Sequence, residues 1–346
     1  MSRVRIAVAG AGVIGKRHVE ELLAAPSAEL AAIVEPGPGG PETARQHHVQ
    51  HYSTLEELLD LDAPDGVILA TPNRLHAAGG LVCVAAGVPV LVEKPIADEV
   101  EAATELVEAG EAAGVPILTG HHRRYNPIMT QAREIIRSGE LGRLVAVLGT
   151  ALFRKPDEYF EVSGGWRREP GGGPVLLNLI EDVNNLLCLV GDIVSVQAAT
   201  SNATRRFPVE DTAAMIFRFA NGALGTFLLS DVAASPRSWE QTSQEDKAYA
   251  GYPDEDCYHI TGTRGSLSVP TLRAKVFPRK ASWSEPFEEY TVDLDRTDPL
   301  ANQIEHFAAV IRGREEPLVS GRDGLNTLRV VEAVQEAART GRIISL

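Results

Sequence analysis

Basic residues are scarce in this sequence beside acidic ones. Lys and Arg number 33 against 47 Asp and Glu in 346 residues, a formal net charge of −14. A chain with that excess repels phosphate backbones and anionic lipid surfaces, which argues against nucleic-acid and membrane partners. Cysteine is almost absent. Cys83, Cys188 and Cys257 stand far apart, in no metal-ligand or disulfide-framework spacing, and suit a reducing compartment. No apolar run reaches the ~18–20 residues of a membrane span. The apolar start is followed at once by Lys16, Arg17 and His18 with no small-residue cleavage pattern, so it does not read as a signal peptide and the expected location is the cytoplasm. What remains is ordinary for a globular chain, 44% hydrophobic and 23% charged. The length suits two domains, each able to bury a core.

Over the first 120 or so residues, short apolar runs alternate with helical patterns. Strands are expected at Val4–Ala9, Leu30–Glu35, Gly66–Ala70, Val88–Glu93 and Val115–Thr119. Helices are expected at Val13–Ala25, Leu55–Asp60 (capped by Ser53 or Thr54), Leu75–Ala86 and Glu99–Ala113. Such alternation implies a parallel sheet covered on both faces. After His121 the rhythm changes. Helices at Pro127–Ser138 and Val175–Val190 are interleaved with strands at Gly142–Phe153, Ile193–Thr204, Thr212–Phe219, Ala223–Ser230, Tyr258–Thr261 and Ser266–Val269. Two helical patterns close the chain, Pro299–Arg312 and Asp323–Arg339, and 235–256 reads as a long loop. The expected fold is an α/β Rossmann domain over 1–122, then an α+β domain over 123–346 with a large, open, mainly antiparallel sheet. The last helices are free to pack back on the first domain.

Gly10-Ala11-Gly12-Val13-Ile14-Gly15 fits G-x-G-x-x-G between an expected strand and an expected helix. Gly10 permits the tight turn, Gly12 lets a pyrophosphate approach the backbone, and Gly15 lets helix and strand pack closely. The phosphates would then meet free N–H groups at the helix's positive end. Glu35, twenty positions past Gly15, ends the second strand. A carboxylate there accepts from ribose hydroxyls and repels a 2′-phosphate, favouring NAD over NADP. Glu93-Lys94-Pro95 closes the Val88–Glu93 strand, on the side where open α/β sheets bind ligands. Lys94 can there donate to a substrate oxygen and hold developing negative charge.

With these motifs the chain resembles the glucose-fructose oxidoreductase / inositol dehydrogenase / rhizopine catabolism (GFO/IDH/MocA) family. The resemblance spans nearly the whole chain. It rests on Gly10–Gly15 running on to His18, Ala70-Thr71-Pro72-Asn73 with His76, Glu93-Lys94-Pro95, and Gly120-His121-His122-Arg123-Arg124-Tyr125-Asn126-Pro127. Trp166-Arg167 with Gly171-Gly172-Gly173, Glu210-Asp211-Thr212-Ala213 and Asn221-Gly222-Ala223 complete it. It implies hydride transfer between NAD(P) and a hydroxyl or carbonyl, usually of a sugar or cyclic polyol, and a homodimer or homotetramer formed through the second domain's sheet. The cofactor contacts it implies are Gly10, Gly12, Val13, Ile14, Gly15, Glu35, Thr71, Pro72, Asn73, His76, Glu93, Lys94 and Arg124. Toward the substrate it implies Lys94, His122, Arg123, Tyr125, Trp166 and Glu181. For Arg123 and Arg124 an ion pair joining the domains stands as an equal reading.

One departure bears on the chemistry. After the triple glycine the family usually carries an Asp and then a proton-accepting His on one helix, and this chain reads Leu177-Asn178-Leu179-Ile180-Glu181-Asp182. Glu181 takes the histidine position, and Leu177 or Asn178 the aspartate position. Asn178 and Glu181, three apart, share a helix face, while Asp182 points about 100° away. The candidate catalytic set is therefore Lys94, Glu181 and Asn178. Glu181 is either the general base or an ion-pair partner of Lys94 or Arg124, and His121 or His122 stands as a substitute base. Two other readings stay open: altered chemistry on this scaffold, such as imine reduction or redox-neutral elimination, and a non-catalytic dinucleotide-binding protein. His47, His48 and His51 look surface-exposed and poorly spaced for a metal, and no metal is expected. Tyr258 and His259 fall on opposite strand faces, so at most one reaches a site.

Overall fold

The computed structural model describes residues 2–346, without the side chains of 162–164. It divides into two compact units, one running to Asn126 and resuming at Thr297–Leu328, the other comprising Pro127–Arg296 and Arg329–Leu346. The first break falls four residues beyond the one read from the sequence, after the turn His122–Tyr125.

The first unit alternates strand and helix: β1 Val4–Ala9, α1 Val13–Ala24, β2 Ala28–Val34, α2 Gly40–Gln46, β3 Gln50–Tyr52, α3 Leu55–Asp62, β4 Gly66–Leu69, α4 His76–Ala85, β5 Val90–Val92, α5 Val100–Ala113 and β6 Ile117–Thr119. The six strands form one parallel sheet in the order β3-β2-β1-β4-β5-β6. This is the doubly wound order, whose direction reverses between β1 and β4 and leaves a crevice at their carboxyl ends. β1, β4 and β5 are buried almost throughout, as parallel strands covered on both faces must be. Thr54 caps α3, accepting from the Glu57 amide at 3.2 Å, while the Glu57 carboxylate accepts from the Ser53 amide at 2.9 Å.

The second unit begins with α6 Pro127–Arg137 and β7 Leu144–Leu152. It continues through a π-helical turn at Val175–Leu179, α7 Ile180–Leu189, β8 Ile193–Ser201, β9 Thr212–Phe219, β10 Leu224–Ser230, α8 Trp239–Thr242, β11 Tyr258–Gly262, β12 Gly265–Val269, β13 Arg273–Val276 and β14 Glu288–Tyr290. Then follow α9 Pro299–Ile311, α10 Gly321–Thr340 and β15 Ile344–Ser345. Nine strands form a sheet in the order β14-β13-β12-β11-β7-β10-β9-β8-β15, antiparallel except where β7 meets β10. One face carries the core, with Val147, Met215, Phe217, Phe227 and Leu229 buried. On the other face Leu148, Ile216, Leu224 and Leu228 are at least two-fifths exposed. Of the closing helices, α9 belongs to the first unit, where Ile304, Phe307 and Ala308 join the core of β1, β2 and α1. α10 is divided between the units after Leu328. The expected helix Val175–Val190 is continuous but opens with one π turn, and the expected loop 235–256 contains α8, whose Trp239 is 1% exposed.

Candidate functional site

The β1–α1 loop forms a cradle. Gly10 has φ +99°, and a Cβ there would lie 2.4 Å from the Ala70 carbonyl oxygen; one on Gly15 would lie 2.0 Å from the Gly10 oxygen. Only glycine fits either place. Beyond Gly12 nothing lies within 4 Å of the equivalent point, and Val13 is 88% exposed with Ile14 half-buried behind it. The N-terminus of α1 has no side-chain cap and no acidic residue in its first turn, so its amides and its positive dipole are left for an anion. Glu35 follows β2 directly, its Oε2 accepting from the Ala11 amide at 2.9 Å and its Oε1 from the Gly37 amide at 2.9 Å. A carboxylate offers about four acceptor positions, so two oxygens held toward the loop still serve vicinal hydroxyls. The cradle thus fits a dinucleotide: open space at Gly12, uncapped amides, and a fixed carboxylate for the ribose. His51, read as exposed, is half-buried, and its Nε2 lies 2.9 Å from the Glu35 carbonyl oxygen.

Thr71 and Pro72 lie past the end of β4, and Asn73 opens the short turn leading into α4. His76 begins α4 and is buried. Its Nδ1 lies 2.7 Å from the Pro95 carbonyl oxygen and its Nε2 2.8 Å from that of Thr71. Both ring nitrogens of His76, which the family resemblance sets by the cofactor, engage the backbone of two loops. Glu93 is likewise engaged by neighbouring residues. It is buried, with its carboxylate on His18 and on the Lys94 amide. Lys94, just past β5, stays half-buried. Arg123, Arg124 and Tyr125 are buried on the turn after β6, and His122 is half-buried. Arg124 donates to the Leu318 carbonyl at 3.4 Å, within the first unit. Tyr125 is buried, with its ring 5.4 Å from that of His306, and burial pushes its hydroxyl well above the usual phenol range.

The second unit sorts its neighbouring acids. Glu181 and Asp182 are both buried in the first turn of α7. Asp182 accepts a hydrogen bond from the Tyr258 hydroxyl, which also accepts from Asn185 Nδ2 at 3.2 Å, under Trp239. Asp182 is thereby a core polar group. Of the pair on β11, Tyr258 points inward, while His259 meets Ser268 on a less buried face. Asn178, on the π turn, accepts from Lys155 Nζ at 2.6 Å. Lys155 is 6% exposed and lies 4.6 Å from the centre of the Tyr159 ring, which the Arg167 guanidinium approaches at 4.0 Å. Trp166 is 42% exposed, with Arg167 5.5 Å from its ring. Lys155 was not foreseen, because its partner Asn178 arrives from another element, far along the chain. The helix start is held by Glu210, whose Oε1 accepts from the Val175 amide at 2.9 Å.

The comparisons agree with this geometry. Residues 4–121 match the "Oxidoreductase family, NAD-binding Rossmann fold" description, and residues 133–346 match "Oxidoreductase family, C-terminal alpha/beta domain". The 1,5-anhydro-D-fructose reductase of Ensifer adhaerens is 28% identical over 84% of this chain and 82% of its own length. The inositol 2-dehydrogenase of Rubrobacter xylanophilus is 27% identical over 98% of this chain and 92% of its own. Among solved structures, the WlbA dehydrogenase of Bordetella pertussis, in complex with NADH and UDP-GlcNAcA, superposes with a TM-score of 0.79 at 25% identity, covering 100% of this chain and 99% of that one. With both domain descriptions matched in order along one chain that holds a dinucleotide cradle, the protein belongs to the GFO/IDH/MocA family of NAD(P)-dependent oxidoreductases.

Proposed function

We propose that this protein is an NAD-preferring dehydrogenase that oxidises a hydroxyl-bearing carbon of a sugar, a polyol or a related small acid. The carrying observation is the Glu35 carboxylate, fixed by two loop amides where ribose hydroxyls would pair and a 2′-phosphate would meet like charge. Bound NAD supplies the hydride acceptor. Gly10, Gly12 and Gly15, with the amides that open α1, would hold its pyrophosphate, and Thr71, Pro72 and Asn73 would serve its nicotinamide end. Lys94 donates to the substrate oxygen and stabilises the negative charge that grows there. Glu181 takes the hydroxyl proton, in the place where the family resemblance expects a histidine. Asn178, held by Lys155, orients the substrate, with Trp166 offering a ring face and His122 and Arg123 polar contacts. Relatives named for inositol, D-xylose and D-apiose suggest the compounds to try first.

We further place the protein in the cytoplasm, supported by its three free cysteines and by the absence, among the described residues, of any helix long and apolar enough to cross a membrane. We also infer a homodimer or homotetramer, supported by the apolar outer face of the nine-stranded sheet. The test of the main reading is reduction of NAD with a panel of polyols, aldoses and aldonic acids, alongside both dissociation constants at one salt concentration. Turnover with NAD, and tighter binding of NADH than of NADPH, is the expected outcome. Equal or tighter NADPH binding overturns the Glu35 argument, and NADH binding without turnover of any compound favours a sensor.

A further inference from the structure

Glu93 immediately precedes Lys94, and nothing in its burial is cheap. A carboxylate that is 6% exposed loses its hydration, which alone pushes its pKa up. The hydrogen bond from His18, with the charges of His18, His122 and Lys94, outweighs that burial and holds Glu93 below the usual carboxylate range. Glu93 is therefore ionised and only accepts, so the His18 Nε2 that lies 2.7 Å from Oε1 carries the proton. His18 is fully buried on α1, and its Nδ1 has no hydrogen-bond partner among the described residues. The polar contact of this ring is thus made to Glu93 alone. The other carboxylate oxygen accepts from the Lys94 amide at 3.2 Å. Room for the group depends on Gly120, where a Cβ would lie 2.8 Å from the Glu93 carboxyl carbon. On the far side of Lys94, the Pro95 carbonyl faces His76 of α4, whose other nitrogen faces the Thr71 carbonyl.

We propose that His18, Glu93 and His76 form a positioning clamp for Lys94. Two buried histidines from two helices grip the residues before and after the lysine, so its backbone cannot shift while its side chain reaches the substrate oxygen. The clamp also joins Lys94 to the dinucleotide cradle, because His18 rides on the helix that the Gly10–Gly15 loop opens. The inference rests on the assignment of Lys94 to the substrate oxygen. It differs from the family-derived expectation in making Glu93 and His76 positioning residues instead of cofactor contacts.

Glu93→Gln tests it. The amide keeps the shape, but with its oxygen toward His18 its NH2 faces the Lys94 amide, donor against donor. A misplacement of the reacting group of about 1 Å costs up to roughly 100-fold. The expected result is a fall in kcat of roughly 10- to 100-fold on whichever panel compound turns over, with KM and the calorimetric dissociation constant for NAD within about two-fold. His76→Leu should show the same split. His18→Phe should lower kcat, and His18→Gln, whose amide can still donate to Glu93, should recover part of the loss. A readout without turnover is the NMR signal of 13C-methylated Lys94, assigned by its loss in Lys94→Met; it should move in Glu93→Gln and in His18→Phe. If Glu93→Gln does not fold, the His18 pair and the NMR signal carry the test. Weakening of NAD binding in proportion to kcat would return Glu93 to the cofactor contacts, and an unchanged kcat with an unmoved Lys94 signal would remove the clamp. Full activity in Lys94→Met would instead sink the role given to Lys94, while the NMR signal would still report whether the clamp exists.

Discussion

Glu181 and Asp182 are adjacent, alike and both buried, and the proposed function gives them different work. Asp182 takes the Tyr258 hydroxyl inside the second unit's core. Asp182→Asn should therefore cost about 1–3 kcal/mol of stability, seen as a lower thermal midpoint, and leave kcat nearly unchanged. Glu181→Gln should do the reverse. If Glu181 accepts the substrate proton, alcohol oxidation falls by roughly 10²–10⁴, and Glu181→His should keep activity and move the acid limb of the pH profile toward ~6.5. A full-rate Glu181→Gln enzyme would end that assignment. Glu93 adds a pH dependence of stability. Its folded-state pKa is depressed, so its contribution is present above the unfolded carboxylate value near ~4.3 and is lost as pH falls through the lower folded value. Thermal midpoints across that window should fall more steeply for the native chain than for Glu93→Gln. The place of Glu35, at the end of β2 beside the β1–α1 loop, was legible because it follows from spacing along one βαβ unit. The Glu93–His18 contact was not, because no local rule links residues 75 positions apart. Lys155 was missed for the same reason, since its partner Asn178 arrives from another element.

At the level of elements, the start of the α7 helix is the informative place. The glycines before it provide no capping side chain, and Glu210 reaches in from the segment before β9 to accept from the Val175 amide. Burial, then the nearby charges of Asp231 and Asp211, raise its pKa against the lowering effect of its backbone hydrogen bonds. The sign is opposite to that of Glu93. Its ionisation opposes folding, so that stability is lost as pH rises from ~4.3 through the raised folded value. Glu210→Gln keeps the acceptor oxygen without the charge and should unfold at an equal or higher temperature at pH 7. Glu210→Ala loses the cap and should cost about 1 kcal/mol. A Gln variant as unstable as the Ala variant would show that the charge, and not the hydrogen bond, holds the helix start. Periodicity made α7 visible but not the π turn before it, which shares the same apolar spacing and differs only in the hydrogen-bond step. Strands β13 and β14, at one margin of the sheet, were invisible because they are short and carry charged residues, Arg273 and Lys275 paired with Glu289. In 235–256, polar composition hid the Trp239 anchor, which donates to Glu245 at 3.0 Å.

For the whole molecule, the two-fold repeat of the strands decides the most. Leu148, Ile216, Leu224 and Leu228 point outward on three neighbouring strands, where a monomer would show polar residues. A second copy laid on this face would bury the same patch of each chain, as a two-fold interface requires. If this face is the interface of the proposed oligomer, Leu148→Glu with Leu228→Glu should give a smaller species than the native chain in sedimentation experiments, with NAD binding kept. An unchanged sedimentation coefficient would place the interface elsewhere. The discontinuity of the first unit has a consequence of its own. Its core is finished by Ile304 and Phe307 of α9, which follow the whole segment 127–296 in the chain. At about 5–20 residues per second of synthesis, the six-stranded sheet leaves the ribosome roughly ten to forty seconds before the helix that covers it. Through that interval the apolar groove awaiting Phe307 lies open on a nascent chain. A fragment ending at residue 126 would keep it open permanently and should need a chaperone, or α9 added in trans, to stay in solution.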